Sequence, residues 1–269
     1  MPETDDAPRP DDPRPPAGVT LVRAPNPGPM TLDGTNSWVL RAPGARGSIV
    51  VDPGPTDAAH LARLAEGGVE LVLITHRHPD HTEAVDAFAA LTGAPVRAVD
   101  PTWCRDAEPL GDGERIAAGG VDLEVLLTPG HTSDSACFAL HEPGRDGPVA
   151  VLTGDTVLGR GTTIIAHPDG ALGPYLDALH RLRGLGAGER PVTVLPGHGP
   201  VLGDLAAICD AYLAHRAERL DQVRDALARL GADATAEAVT DEVYGDVDAG
   251  VRFAAEASVR AQLAYLRGE

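Results

Sequence analysis

THRHPDH at residues 75–81 places three histidines and one aspartate within seven residues. The apolar run LVLI precedes it and predicts a buried strand, so these polar side chains lie on a loop at the strand's end. His76 and His78 can converge on one ion, and the adjacent Asp80 and His81 can turn toward a second. Imidazole nitrogens and carboxylate oxygens are ordinary ligands of Zn²⁺. Since a buried cluster of this kind needs a metal to offset its desolvation, the run predicts a metal site rather than a solvated turn.

Three later segments share one form, an apolar strand that ends in a polar residue beside glycine. They are VLLTPGHTSDS with His131, VAVLTGDT with Asp155 and VTVLPGHG with His198. Glycine beside each polar residue lets the backbone approach a metal closely. Each segment alone is weak evidence. In this order after an HxHxDH run, the three predict that their polar residues complete the same metal site.

Short apolar runs separated by Gly, Pro and Asp predict an α/β domain over residues 18–203. Amphipathic helices are predicted near 56–66, 82–92 and 173–184. The predicted strands lie near 19–23, 36–41, 48–52, 70–75, 95–99, 121–128, 135–140, 149–154 and 192–195.

The two ends of the chain differ from this central domain. Residues 1–17 hold six prolines and five acidic residues, a composition that predicts a disordered tail. Residues 204–269 show helical spacing, and about 65 residues are too few for much stability alone. We therefore expect this segment to pack on the domain before it. Its helices are predicted near 204–230, 235–244 and 249–267.

Charge and cysteine content limit the partners and the compartment. The chain has 40 acidic residues against 22 basic ones, all arginine, for a net charge of −18. Such a surface repels phosphate backbones and disfavours nucleic acid, although a local basic groove is compatible with it. Three cysteines without a CxxC pair, and a start without an apolar stretch, predict a cytoplasmic protein. No apolar run is long enough to predict a membrane span.

Together the motifs resemble the metallo-β-lactamase superfamily over about residues 19–203. The resemblance implies an αβ/βα sandwich with the metals at one edge. Asp52, in SIVVDPGP, matches the first motif of the family, whose carboxylate orients the metal ligands; the alternative is a turn aspartate at a strand end. The resemblance assigns one zinc ion to His76, His78 and His131, a second to Asp80, His81 and His198, and a bridging role to Asp155.

Within the superfamily, Asp155 and the lack of cysteine in the motifs resemble the branch of glyoxalase II-like thioesterases and phosphodiesterases. The segments NPGPMTLDGTNSWVL, TPGHTSDSACF, GDTVLGRGTTIIAHPDG and LPGHGP are similar to the β-lactamase-like protein 2 group. Members of that group carry a C-terminal winged-helix-like segment, which residues 204–269 resemble.

The resemblance implies a dinuclear zinc-dependent hydrolase that uses a hydroxide bridging two Zn²⁺ ions. Asp80 is the candidate catalytic residue, placed to orient the nucleophile and move a proton. We expect a small ester, thioester or lactone as the acyl substrate, because the acidic chain offers no basic track in bulk for nucleic acid. Asn36, Arg160 and His167 are candidate substrate contacts, with plain turn or loop roles as the alternatives.

Three other functions stay open at this point. One is a single-stranded RNA endonuclease, and another is a redox protein with iron at the same ligands. The third, a non-enzymatic zinc-binding interaction protein, is disfavoured because structural zinc sites saturate their four ligands. The segment 204–269 carries 13 acidic residues and seven arginines, so we expect it to shape the pocket or a homodimer contact rather than bind DNA.

Overall fold

The computed structural model describes residues 13–245, 250 and 252–268. One five-stranded sheet holds the first half of the domain, with its strands side by side in chain order. The second strand is antiparallel to the first and to the third, whereas the third, fourth and fifth strands are parallel to one another. These strands are β1 (Val19–Arg23), β2 (Asn36–Leu40), β3 (Ser48–Val51), β4 (Val69–Leu73) and β5 (Val96–Arg97).

A second five-stranded sheet has its strands in the reverse of chain order. Only the pair at its far edge, formed by the last two strands of the chain, is parallel. The strands are β6 (Arg115–Ala118), β7 (Val121–Leu127), β8 (Ala136–His141), β9 (Ala150–Gly154) and β10 (Thr193–Pro196).

Helices cover the outer face of each sheet and continue into the C-terminal segment. Those of the described residues are α1 (Ala58–Leu64), α2 (Pro79–Thr82), α3 (Val85–Thr92), α4 (Leu172–Gly186), α5 (Leu205–Leu230), α6 (Ala236–Tyr244) and α7 (Arg252–Arg267).

The period of two in a strand sends alternate side chains to opposite layers. On β3, Ile49 and Val51 face the second sheet and pack in a core that includes Phe138, while Val50 faces α1 and α3. On β9, Val151 faces α4 and α5. The layers are therefore helix, sheet, sheet, helix, and the predicted αβ/βα sandwich is confirmed.

The strand β6 is absent from the sequence prediction, because Ile116 is its only large apolar residue. It forms a hairpin with β7 through Gly119 and Gly120, whose φ values are 58° and 70°. A Gly-Gly pair with both φ values positive is a recognised hairpin turn, so the signal was present. The helix predicted near 82–92 corresponds to α3, which begins at Val85, and the separate short helix α2 ends at Thr82 just before it.

Residues 1–12 of the predicted tail lie outside the described residues. The structure describes residues 13–17 of that predicted tail. Within them, the Pro16 carbonyl accepts a hydrogen bond from the Val19 amide at 3.1 Å. At the other end, the described residues beyond Gly203 form three helices and no strand. None of the described helices combines the length and the apolar character that a membrane crossing requires.

Candidate metal centre

Strand ends from both sheets meet at one edge of the sandwich. His76 follows β4, Asp155 follows β9 and His198 follows β10. The loop after β10 passes close to the loop after β9. A Cβ at Gly197 would lie 2.5 Å from Asp155 Oδ1, so only glycine fits there. The seven side chains that the motifs single out lie here in two adjacent groups. One group is His76, His78, His131 and Asp155, and the other is Asp80, His81 and His198.

In the first group, three imidazole nitrogens converge on one position that a metal ion could occupy. His78 Nδ1 lies 2.9 Å from His76 Nε2 and 3.0 Å from His131 Nε2. Ligand nitrogens around a tetrahedral zinc ion are about 3.3 Å apart at ordinary Zn–N bond lengths. The spacing of these three atoms is therefore close to that of a metal-binding triad.

In the second group, His81 Nε2 lies 3.3 Å from His198 Nε2. Asp80 Oδ2 is 3.2 Å from each of these nitrogens. These two nitrogens and one carboxylate oxygen thus surround a second position that a metal ion could occupy. A short α-helix carries two of the three residues. Pro79 at the start of α2 places Asp80 and His81 in its single turn.

Asp155 lies between the two groups and presents one oxygen to each. Its Oδ2 is 3.7 Å from His131 Nε2, and its Oδ1 is 3.4 Å from His198 Nε2. The Oδ1 atom is buried and has no hydrogen-bond partner among the described residues. A buried, unpartnered carboxylate oxygen is costly unless a cation satisfies it. The donor set therefore fits two metal ions bridged by this carboxylate.

Asp52 fixes the orientation of two of these histidines from behind. Its Oδ2 accepts a hydrogen bond from His81 Nδ1 at 2.8 Å and another from the Thr75 hydroxyl at 2.7 Å. That hydroxyl oxygen in turn lies 3.1 Å from His76 Nδ1, which is placed to donate to it. With Nδ1 protonated on both rings, the Nε2 lone pairs face the metal spots.

Backbone carbonyls orient the rings of His131 and His198, the other two histidines that present Nε2. His131 Nδ1 donates to the Ile164 carbonyl at 2.5 Å, with the Thr163 hydroxyl 3.2 Å away. His198 Nδ1 lies 3.4 Å from the Gly34 carbonyl. Such outer contacts set the tautomer and make the free nitrogen a better ligand.

The pKa shifts separate the two groups. Burial, followed by the charge of His131, lowers the pKa of His78 to about 4. Burial also lowers the pKa of His198, but the carboxylates of Asp155 and Asp80 outweigh it and raise that pKa to about 9. Burial would raise the pKa of Asp155, yet the histidines around it hold that pKa well below its usual range. The first group therefore offers a neutral imidazole at His78, whereas His198 of the second group is protonated beside ionised carboxylates.

A family model described as the metallo-beta-lactamase superfamily matches residues 30–198, a range that contains both groups of side chains. The chain belongs to the metallo-beta-lactamase superfamily. The fold and the relatives together make it a metal-dependent hydrolase of that superfamily, and the two groups indicate a dinuclear metal site.

Two curated relatives and one solved structure illustrate the similarity. A beta-lactamase-like protein 2 homolog from Caenorhabditis elegans is 31% identical over 92% of this chain and 83% of its own length. An atrochrysone carboxyl ACP thioesterase from Cryptosporiopsis is 32% identical over 79% of this chain, which spans 63% of that relative. The crystal structure of a metallo-beta-lactamase family protein from Thermus thermophilus has a TM-score of 0.75, with 27% identity over 93% of each chain.

The metallo-beta-lactamase site opens into a cavity of about 300 Å³. Five of the motif residues line its floor: His78, Asp80, His131, Asp155 and His198. The other lining residues have apolar side chains, and the sequence analysis names none of them as a candidate site residue. These wall residues are Met30, Pro79, Ile164, Ala166, Phe253, Ala254 and Ala257.

The three candidate substrate contacts do not line this cavity. Asn36 is fully buried and donates to the carbonyls of Pro196 and Gly199, so it holds the loop that carries His198. These two contacts are those of a residue that positions the loop. Arg160 is exposed and pairs with Asp33 at 3.3 Å. His167 is half-buried beside the wall residue Ala166 but lies outside the lining.

Helix α5 supports the loop that forms one wall of the metallo-beta-lactamase site. Arg216 is 4% exposed, and it donates a hydrogen bond to the Thr163 carbonyl while its guanidinium lies 5.1 Å from the centre of the Tyr175 ring. No ion pair of Arg216 occurs within the described ranges. Sequence reasoning missed this arginine, since a basic residue on a long helix is ordinarily solvated.

Proposed function

We propose that this protein is a dinuclear zinc hydrolase that cleaves a small ester, thioester or lactone at an acyl carbon. The observation that carries the proposal is the cavity, which joins both metal groups to apolar walls and has no arginine among the described residues that line it. A neutral acyl group meets no desolvated like charge on such walls. A phosphodiester would lack a cation from the protein to accompany it.

The residues present would hold one ion at His76, His78 and His131 and another at Asp80, His81 and His198, with Asp155 facing both. When bound, such ions polarise a substrate oxygen and lower the pKa of water toward neutrality. Asp80 is placed to orient the attacking water, because it lines the cavity and its Oδ2 already accepts a hydrogen bond from the Thr35 hydroxyl at 3.1 Å. Burial would raise the pKa of Asp80, but the charge of His81 and the hydrogen bond from His198 outweigh it and hold that pKa below its usual range, which keeps the carboxylate ionised as an acceptor.

Two further observations favour acyl transfer over the alternatives. One curated relative is named a thioesterase. The arginines nearest the motif loops are paired, Arg77 with Asp169 at 2.8 Å and Arg160 with Asp33.

A purely structural metal site is disfavoured because both metal groups border the cavity. The three cysteines are unpaired, which supports the proposed cytoplasmic location.

A substrate panel on metal-quantified protein tests the proposal. Small esters and thioesters should be hydrolysed faster than a single-stranded RNA oligonucleotide at the same zinc loading and low salt. Asp80→Ala serves as the control for contaminating nuclease and esterase, and it should lose the activity. If RNA is cut faster and Asp80→Ala loses that cutting, the endonuclease replaces the acyl hydrolase.

A further inference from the structure

The mouth of the metal cavity gathers large apolar side chains that face solvent. Met30 is 43% exposed and Phe253 is 61% exposed, and both line the cavity. The described residues expose only three other large hydrophobic side chains, Leu91, Leu230 and Tyr265, and none of these lines it. Exposed apolar side chains gathered at one opening mark a surface that a ligand covers.

The position of Phe253 is set by the packing of its helix. The later turns of α7 are buried through Val259, Ala261 and Leu263, which pack against α5 and its surroundings. The first two turns reach the metal residues and bring Phe253, Ala254 and Ala257 to the cavity. These residues lie outside the 30–198 match, so the C-terminal helix adds an apolar wall to the superfamily domain.

Charge at the cavity limits what can occupy that wall. The floor carries the carboxylates of Asp80 and Asp155, and no arginine lies in the lining. A charged or strongly hydrated group near Met30 and Phe253 would lose water without gaining a partner. An apolar chain would instead cover both exposed side chains and gain the hydrophobic effect.

We propose that Met30 and Phe253 form a binding subsite for an apolar acyl chain, which makes medium-chain acyl esters or thioesters the substrate class. The inference rests on the proposed hydrolase function. The cavity of about 300 Å³ has room for roughly ten water-sized groups at ~30 Å³ each. An acyl chain of hexanoyl to octanoyl length fits this space, with its carbonyl at the metal floor.

The test is a chain-length series of p-nitrophenyl acetate, butyrate, hexanoate and octanoate on zinc-loaded protein. A fully buried methylene favours binding by about fourfold, so a half-exposed wall should raise kcat/KM about twofold per methylene up to octanoate. Phe253→Ala and Met30→Ala should flatten this slope, with about a tenfold loss for octanoate and little change for acetate. Phe253→Leu should restore most of it.

Leu91→Ala is the matched control, since Leu91 is 57% exposed on α3 and lies outside the cavity lining. It should leave the slope unchanged. Equal losses for acetate and octanoate in Phe253→Ala, or an unchanged slope in both variants, would overturn the subsite. So would a change in molecular mass by sedimentation without a change in slope, which would make the patch a subunit contact.

A binding measurement separates the failure of the subsite from the failure of the hydrolase. Calorimetry should show octanoate binding to the zinc-loaded protein at least tenfold more tightly than acetate, with the difference lost in Phe253→Ala. If no ester is hydrolysed but this difference is present, the hydrolase fails and the subsite stands. If esters are hydrolysed and the two carboxylates bind equally, the subsite fails alone.

Discussion

At the residue scale, one carboxylate connects the two metal groups from outside. Asp52 accepts hydrogen bonds from the Thr75 amide at 2.8 Å, from the Thr75 hydroxyl and from His81. It is 1% exposed and has a φ of 55°, a backbone conformation that non-glycine residues seldom adopt. Such strain is retained where a side chain must be aimed at a site.

Asp52→Asn tests this role with little change to the backbone, because asparagine tolerates positive φ. Its amide nitrogen cannot accept the hydrogen bonds of His81 and Thr75, so one imidazole must turn or change tautomer. We expect the affinity for zinc to fall about 10- to 100-fold in competition with a chromophoric chelator. Asp33→Asn, at an exposed ion pair, is the control. Equal affinities for the wild type and Asp52→Asn would exclude an orienting role.

The raised pKa of His198 predicts how the metal-free protein responds to pH. Its folded-state pKa of about 9 lies above the ordinary value of 6.5, so the fold binds the proton more tightly than the unfolded chain does. This stabilisation is complete below pH 6.5 and is lost as the pH rises through 9. Urea titrations of chelator-treated protein should therefore show a falling free energy of unfolding over this range. His198→Gln should fall less steeply, and an identical slope would contradict the assignment.

At the element scale, much of the site could be predicted because its chemistry is local. THRHPDH and the three glycine-flanked strand ends carry their signal within a few residues, and the structure brings all seven side chains together. The apolar wall could not be predicted in this way. Phe253 meets the cavity only through the packing of α7, and an apolar helix residue at a cavity has the same local pattern as one in a core.

The support from α5 makes a prediction at this scale. Arg216 holds the Thr163 carbonyl, and the next carbonyl, that of Ile164, orients His131. Arg216→Met keeps the volume but removes the donor, so the 163–164 segment loses its anchor. We expect weaker zinc binding by several fold and a lower kcat, with an unfolding free energy that changes little because a buried lone cation is itself costly.

Arg224→Ala provides the comparison for Arg216, since Arg224 is on the same helix and pairs with Asp221 in solvent. Its zinc affinity and kcat should equal those of the wild type. The positioning role of Arg216 is wrong if both variants bind zinc equally well, or if Arg216→Met loses stability while retaining full affinity for zinc.

At the scale of the whole molecule, charge separates the candidate functions. The net charge of −18 was visible in the sequence, but the distribution of arginines was not. In the structure, Arg77 and Arg160 are held in ion pairs, and Arg216 is buried beneath the site. Within the described ranges, no arginine lines the cavity.

The protein should consequently show no gel shift with single-stranded RNA or duplex DNA at moderate salt. Binding to phosphates releases counterions and depends steeply on salt, so a titration from low to moderate salt distinguishes weak adsorption from a true site. A shift that persists at moderate salt and weakens in Arg77→Ala or Arg160→Ala would contradict this view of the surface.

The seven side chains of the two groups would hold two catalytic metal ions, with Asp155 facing both. The most direct test is to titrate Zn²⁺ into chelator-treated protein while measuring bound zinc per chain and ester hydrolysis in the same samples. We predict saturation at about two ions per chain, with hydrolysis rising as they bind, and loss of both in Asp155→Ala. Full hydrolytic activity in protein without any transition metal would contradict the account.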